Sequence, residues 1–267
     1  MSDRLGHPTA QRMNTATPVA SDQPVIVLLH GAGGNHAMWN AVRRHLDPRR
    51  RVVALDLPGH GSLSHSHFTI DAAVDTVRAE VRRLAPTRVV LVGDSLGGYT
   101  SMATAAVLPP ERVAGLAIGG CTMNFDGSSW RALRRKGWMV RATIALLGEK
   151  RFLAKGAVKM VKQGIRQDDV DALMAARLRM QGWVEAANDI GHHDYLAKVR
   201  AIQAPILFIN GDKDKGPVAH EAEFVAAARH ATTQRFACEH GVSLWKPAEF
   251  AAAVDRFVDG LALKVAA

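Results

Sequence analysis

Five short runs of aliphatic and β-branched residues punctuate the chain: Val25–Leu29, Val52–Leu55, Val89–Val92, Val113–Ile118 and Ile206–Ile209. Each is apolar nearly throughout rather than alternating, the pattern of a strand covered on both faces inside a parallel sheet. Parallel neighbours need crossover connections, and helical patterns fill the intervals. Ile70, Ala73, Val74, Val77, Val81 and Leu84 share one face at spacings of three and four. So do Phe250, Val254, Phe257, Val258 and Leu261 near the C-terminus. Strands alternating with helices predict right-handed βαβ crossovers, hence an α/β chain with a doubly wound, mostly parallel sheet and helices on both faces. A further short strand is expected over Thr233–Cys238.

The segment from Cys121 to about Ala204 breaks this rhythm and reads as helices only. Trp130, Leu133, Gly137, Val140 and Ile144 line one face there, while Arg134, Arg135 and Arg141 point elsewhere. Val170, Leu173, Met174 and Leu178 form a second apolar stripe, with Asp168 as its expected N-cap. The expected division is a core of residues 24–120 and 205–267 carrying an inserted helical cap, 121–204, over the carboxyl ends of the strands. Residues 1–23 form a polar N-terminal segment that is a candidate for disorder.

A length of 267 residues suits one large α/β domain, and 22% charged residues suit a globular chain. No stretch approaches the ~20 uncharged apolar residues of a membrane span, so no integral membrane association is expected. The opening MSDRLGHPTAQRMNTATPVASDQP has no apolar run after its early charges, unlike a secretory signal. The 2 cysteines, Cys121 and Cys238, make no stapling framework, and no pair has zinc-ligand spacing. A reduced, cytoplasmic protein without metal or cofactor is the expectation. Of 34 Lys+Arg and 25 Asp+Glu, residues 121–204 hold 15 and 8, so most of the net +9 lies there. No nucleic-acid motif or stacking aromatics accompany this excess, so no nucleic-acid partner is expected. An anionic substrate, an approach to anionic surfaces and a solvated outer face all remain open readings.

Chemistry concentrates at the ends of the predicted strands. Gly93-Asp94-Ser95-Leu96-Gly97-Gly98 follows Val89–Val92 and precedes a helical run from Tyr99 to Val107. In a strand-to-helix turn, glycines beside the serine leave room for close backbone approach, and the hydroxyl stands at a helix N-terminus that favours negative charge. A hydroxyl nucleophile needs a base, and the base an orienting carboxylate. Asn210-Gly211-Asp212-Lys213-Asp214 follows one strand and Glu239-His240-Gly241 another, so all three groups reach the same sheet edge in the order Ser, Asp, His. Asp212 and Asp214 both qualify as the carboxylate, with Asp126 a more remote alternative.

These blocks resemble the α/β-hydrolase superfamily, in its serine-nucleophile, esterase- and lipase-like branch with a helical cap, over residues 24 to 262. Leu29-His30-Gly31-Ala32-Gly33-Gly34 is similar to the family's oxyanion turn, and Asp56-Leu57-Pro58-Gly59-His60-Gly61 to its next structural loop. The nucleophile elbow around Ser95, the lead Pro110-Glu111-Arg112-Val113, the Gly211-x-x-Asp214 spacing, and His240 seven residues before Pro247 complete the match. The resemblance implies Ser95 as nucleophile, Asp214 as the acid and His240 as the base. It also implies the backbone N–H groups of Ala32 and Leu96 as oxyanion donors, each worth about 3 kcal/mol. Glu239 stands where the family commonly has Gly, and residues 1–24 show no sign of the family's opening hairpin. His30 and His60 read as loop braces rather than proton carriers.

A serine in this slot disfavours epoxide opening and halide displacement, for which the family uses an aspartate. The expected activity is hydrolysis of a carboxylic ester of a small to medium apolar substrate through an acyl-enzyme. Lactone, thioester and carbon–carbon cleavage on the same residues are alternatives, and a non-catalytic ligand-binding protein is the alternative of another class. Trp130, Trp138, Met139, Met174, Met180 and Trp183 are the candidate substrate contacts, some of them expected to face the cleft. Oligomeric state is left open.

Overall fold

The computed structural model describes residues 23–265, so the polar segment expected over 1–23 lies outside the described residues except for Gln23. Among the described residues there are six strands: β1 (Val25–Leu29), β2 (Val52–Leu55), β3 (Val89–Asp94), β4 (Val113–Gly119), β5 (Ile206–Gly211) and β6 (Ala231–Phe236). They form one sheet in the order β2-β1-β3-β4-β5-β6, with every neighbouring pair parallel. The strand order reverses between β1 and β3, so the crevice where open α/β sheets bind ligands lies beyond their carboxyl ends.

Helices cover both faces. They are α1 (Asn40–Arg43), α2 (Ile70–Arg83), α3 (Leu96–Ala105), α4 (Gly127–Leu147), α5 (Glu149–Lys162) and α6 (Gln167–Ala175), followed by α7 (Gln181–Asp189), α8 (Tyr195–Ala201), α9 (Lys215–Ala227), α10 (Val242–Trp245) and α11 (Pro247–Val265). Side chains alternate across a strand. Val25, Val27, Leu29, Val89 and Leu91 therefore pack with apolar residues of α2, α3, α8 and α9, whereas Ile26, Leu28, Val90 and Val92 pack with those of α1, α10 and α11. This double coverage explains why the central strands are apolar runs: all five residues of β1 and all six of β3 are buried. Local chemistry starts and stops the helices. Thr69 caps α2 by accepting from the Ala72 N–H, with Asp71 in the first turn and Arg82 and Arg83 in the last.

Two local expectations are corrected. The last strand is Ala231–Phe236 rather than Thr233–Cys238. It is an edge strand with a mixed burial pattern, so it lacks the apolar run that marks the others, and the chain leaves the ladder where the Cys238 N–H bonds the Phe236 carbonyl. Asp168 does not cap a helix: α6 begins at Gln167 after Arg166, and Asp168 sits exposed in the first turn beside Arg166. The acids of that turn complement the helix dipole instead, and Asp169 is taken up by Arg44 through bonds of 2.8 and 2.6 Å.

Between β4 and β5 the chain makes an excursion of five helices, α4 to α8. Asn35, in the loop after β1, donates to the carbonyls of Leu173 and Ala176. Glu185 and Asp189 of α7 accept from the N–H groups of Phe68 and Ile70, in the segment after β2. These bonds pin the excursion above the carboxyl ends of β1 and β2. Among the described residues, no helix is long and apolar enough to cross a membrane.

Candidate active site

Ser95 stands between β3 and α3 at φ 54° and ψ −117°, a conformation rare for a residue with a side chain. The surrounding glycines make that bend possible. A Cβ on Gly93 would meet the Gly97 carbonyl carbon at 2.3 Å, one on Gly97 the Leu29 carbonyl oxygen at 1.8 Å, and one on Gly98 the Cys121 sulfur at 2.5 Å. The Ser95 N–H donates to Gly119 at 2.7 Å, and the Ser95 carbonyl accepts from Gly98 and Tyr99. The hydroxyl is thereby held out of the helix it opens.

His240 meets it from the far side of the sheet edge. Its Nε2 lies 2.9 Å from Ser95 Oγ and its Nδ1 lies 2.6 Å from Asp214 Oδ2. Asp212 is exposed, and Asp126 is occupied as the cap of α4, accepting from Ser128 and Ser129. Of the three carboxylates considered, Asp214 is thus the one on the imidazole. The loops that carry the pair are tied together. The Lys213 N–H bonds the Cys238 carbonyl, and Gly211 lies so close to the Cys238 and Glu239 carbonyls that a Cβ would meet them at 2.5 and 2.4 Å. The Trp245 indole N–H donates to the His240 carbonyl at 2.8 Å. Glu239 is exposed and, unlike Gly241 at φ 91°, does not have a positive φ, so a side chain before His240 costs nothing.

A fourth polar group shares the site. Asp94 is buried directly before Ser95, with Oδ2 accepting from the Ser243 N–H and hydroxyl. Its Oδ1 has no hydrogen-bond partner among the described residues. A Cβ on Gly120 would lie 3.2 Å from His240 Nδ1 and 3.4 Å from Asp94 Oδ1, so the imidazole and this oxygen both border Gly120. Burial pushes the Asp94 carboxyl above its ordinary 3.8, against the opposing pull of His240 and Ser243. Sequence reasoning passed over this acid, although it stands in the elbow itself. Nor did it anticipate Asn210, which bonds the Gly120 N–H, Thr122 and Glu221 and so ties β4 to β5 where Asp214 emerges.

Burial opposes the His240 imidazolium, but the Asp214 hydrogen bond and the charges of Asp94 and Asp214 outweigh it; Lys136 of α4 acts against them. The net effect raises the His240 pKa above its ordinary 6.5. A base works only when neutral, so a reaction that uses His240 as its base should rise with pH through a midpoint above 6.5 and then level. Stability runs the other way: the raised pKa contributes stability fully present below the unfolded value and lost as pH rises through the folded one. A rate profile measured between pH 5 and 9 checks this, and a flat profile would exclude His240 as the base.

The turn after β1 lies against Ser95, since a Cβ on Gly31 would come within 3.5 Å of the Ser95 Cβ. Two histidines shape it. His30 donates from Nδ1 to the Gly31 carbonyl and accepts from the Leu57 N–H, while His60 donates to Pro58 and accepts from the Gly33 N–H. Burial holds His30 down at about 3 and also lowers His60, so both rings stay neutral. The N–H groups of Ala32 and Leu96 make no hydrogen bond among the described residues, which leaves both available to an oxygen. Met180 and Trp183 sit directly on this turn, each with an atom 3.4 Å from where a Gly33 Cβ would be. Trp130 instead bonds the Ala187 carbonyl and packs on Gly191 and His192 within the excursion. Met174 is half-buried, whereas Trp138 and Met139 are exposed.

A parallel sheet carries a strained serine at its switch point, with an acid after β5 and a histidine after β6 brought to it. The sequence profile of the alpha/beta hydrolase family matches residues 26–253, and the chain belongs to that family. It is 34% identical over 122 residues to an uncharacterized protein of Mycobacterium tuberculosis, a match covering 44% of this chain and 36% of that one. It is 40% identical over 78 residues to a pimeloyl-[acyl-carrier protein] methyl ester esterase of Vibrio vulnificus, 29% of each chain. The matches thus span only 36% and 29% of these curated relatives. Among solved structures, one from a study of carboxylesterases of Nitrososphaera gargenis superposes with a TM-score of 0.76 at 19% identity, covering 92% of this chain and 93% of the other. MenH from S. aureus gives 0.75 at 16% identity, covering 91% and 96%. Both share the fold.

Proposed function

We propose that the chain is a serine hydrolase that cleaves a carboxylic ester of a small to medium apolar substrate through an acyl-enzyme. The carrying observation is the unbroken hydrogen-bonded chain from Ser95 Oγ through His240 to Asp214, at 2.9 and 2.6 Å. Ser95 Oγ attacks the ester carbonyl as its proton passes to His240 Nε2. Asp214 fixes the Nδ1–H tautomer and stabilises the imidazolium. The N–H groups of Ala32 and Leu96 receive the developing oxyanion. The alcohol departs with the proton from His240, and a water activated by the same imidazole releases the acid. Met180 and Trp183 supply apolar surface on the turn after β1, which lies against Ser95. The name of the Vibrio vulnificus relative, a methyl ester esterase, and the carboxylesterase neighbour support the reading of an ester bond.

The test combines a panel of p-nitrophenyl esters of increasing acyl length, one thioester and one lactone with separate Asp212→Asn and Asp214→Asn variants. Asp214→Asn should lower kcat about 10⁴-fold by stranding the wrong imidazole tautomer. Asp212→Asn should leave it within a few-fold. Loss on Asp212→Asn alone would reassign the acid. Preference for the lactone or thioester would replace the substrate class while keeping the residues.

A further inference from the structure

The chain's whole excess of positive charge sits on one helical hairpin. Helices α4 and α5, residues 127–162, hold 10 Lys+Arg and a single acid, Glu149; the other 231 residues hold 24 of each sign. Glu149 is already engaged by Arg179 and by the Met180 N–H. All ten basic side chains are exposed, and none of them pairs with an acid among the described residues.

Large apolar side chains stand among these charges. Leu146 is 83% exposed, Trp138 69% and Met139 57%. Arg131, Arg135, Trp138, Ala142 and Leu146 follow one another at spacings of four, three, four and four, so they form one exposed stripe along α4. The opposite side of the helix is the packed one, where Gly137 is buried against Ala187 and Trp183 of α7. The apolar face of α4 is therefore satisfied inward, and its outward stripe is a second apolar surface with no covering element among the described residues.

Three kinds of occupant differ in what they require. A second copy of the chain would bring a net +9 against a net +9, which repels at this face. A peptide-binding groove would enclose its apolar residues, but these side chains project into solvent. An anionic lipid surface requires what is present: guanidinium and ammonium groups for headgroup phosphates, and a Trp with neighbouring Leu and Met for the acyl boundary.

We propose that the outward stripe of α4 docks on an anionic lipid surface, with Arg131 and Arg135 on phosphates and Trp138, Met139 and Leu146 entering the boundary below them. The five basic residues of α5 add to the field that draws the face to the surface.

Sedimentation of the full chain with phosphatidylcholine vesicles, with and without about a third phosphatidylglycerol, tests this. Partition should be at least tenfold stronger on the anionic vesicles, should fall in 0.5 M salt and should shift tryptophan emission to the blue. Trp138→Phe should keep binding and lose most of the shift. Arg131→Gln with Arg135→Gln should weaken partition about 25-fold, at about fivefold per arginine. Leu146→Ser should weaken it as well, with melting temperatures unchanged. Equal partition on neutral and anionic vesicles, no partition, or indifference to these substitutions would overturn the proposal. So would tighter binding to soluble polyglutamate than to vesicles, which would make the face one for an acidic protein, or a dimer that Leu146→Ser dissociates.

Discussion

Ser95→Ala should lower kcat by about 10⁴- to 10⁶-fold on the best ester of the panel while KM stays within a few-fold. The size follows from what the substitution removes and what it leaves. The covalent route is lost, because among the described residues no other hydroxyl or thiol bonds His240: Ser243 is bonded to Asp94, and Cys121 is buried with its thiol pushed well above the ordinary 9.0. The free N–H groups of Ala32 and Leu96 remain and can still polarise a carbonyl. Catalysis by such donors and by positioning accounts for a residual acceleration of about 10³ to 10⁴ over water. Alanine at φ 54° carries the same backbone strain as serine, so the melting temperature should move little. If the two residues are nucleophile and base of one unit, His240→Ala should cost a similar factor and the double variant scarcely more. An undiminished rate in purified Ser95→Ala would assign the turnover to another protein. Additive losses in the double variant would show that the two residues work in separate steps.

The parts of this molecule legible in its sequence are those under the tightest local constraint. Strands β1, β3, β4 and β5 are covered on both faces, so all but their carboxyl ends had to be apolar and announced themselves as runs. Strand β6 is half-exposed at the sheet edge, tolerates Thr, Gln and Arg, and was therefore placed two residues late. The convergence of Ser95, Asp214 and His240 was legible because each follows a strand end, and strand ends of a parallel sheet converge. Relations across distant segments were not. The pairing of Asp94 with His240 around Gly120 spans more than half of the chain, and Asn210 serves Gly120 from 90 positions away. The charge of the 121–204 segment was visible, but its concentration on α4 and α5 emerged only once helix boundaries separated those helices from the acidic α6.

Gly97→Ala should be among the most destabilising single-methyl additions available to this chain. Propensity alone predicts the opposite, since Gly97 lies in the first turn of α3 and Ala is favoured in helices by about 1 kcal/mol. Sterics decide the sign. The added Cβ would stand 1.8 Å from the Leu29 carbonyl oxygen, 2.4 Å from the Leu29 carbonyl carbon and 2.9 Å from the His30 carbonyl oxygen. All three are backbone atoms at the end of β1, so no rotamer change relieves the contact. Helix α3 would have to retreat, and it has nowhere to go, because every residue from Leu96 to Ala105 is buried. The cost should reach about 4 kcal/mol or more, the range of severe overpacking. For a domain of this size that lowers the melting temperature by about 8–16 °C. Retreat would also part Ser95 from the turn after β1, so any folded fraction should lose ester cleavage in proportion to the lost alignment. Gly156→Ala is the matched control: it lies in exposed α5 with nothing within 4 Å of its Cβ position, and there propensity should win, stabilising by up to about 1 kcal/mol. If Gly97→Ala melted within 2 °C of the parent and kept its rate, α3 could not be seated on β1 as described, and the backbone that aims Ser95 would have to be redrawn.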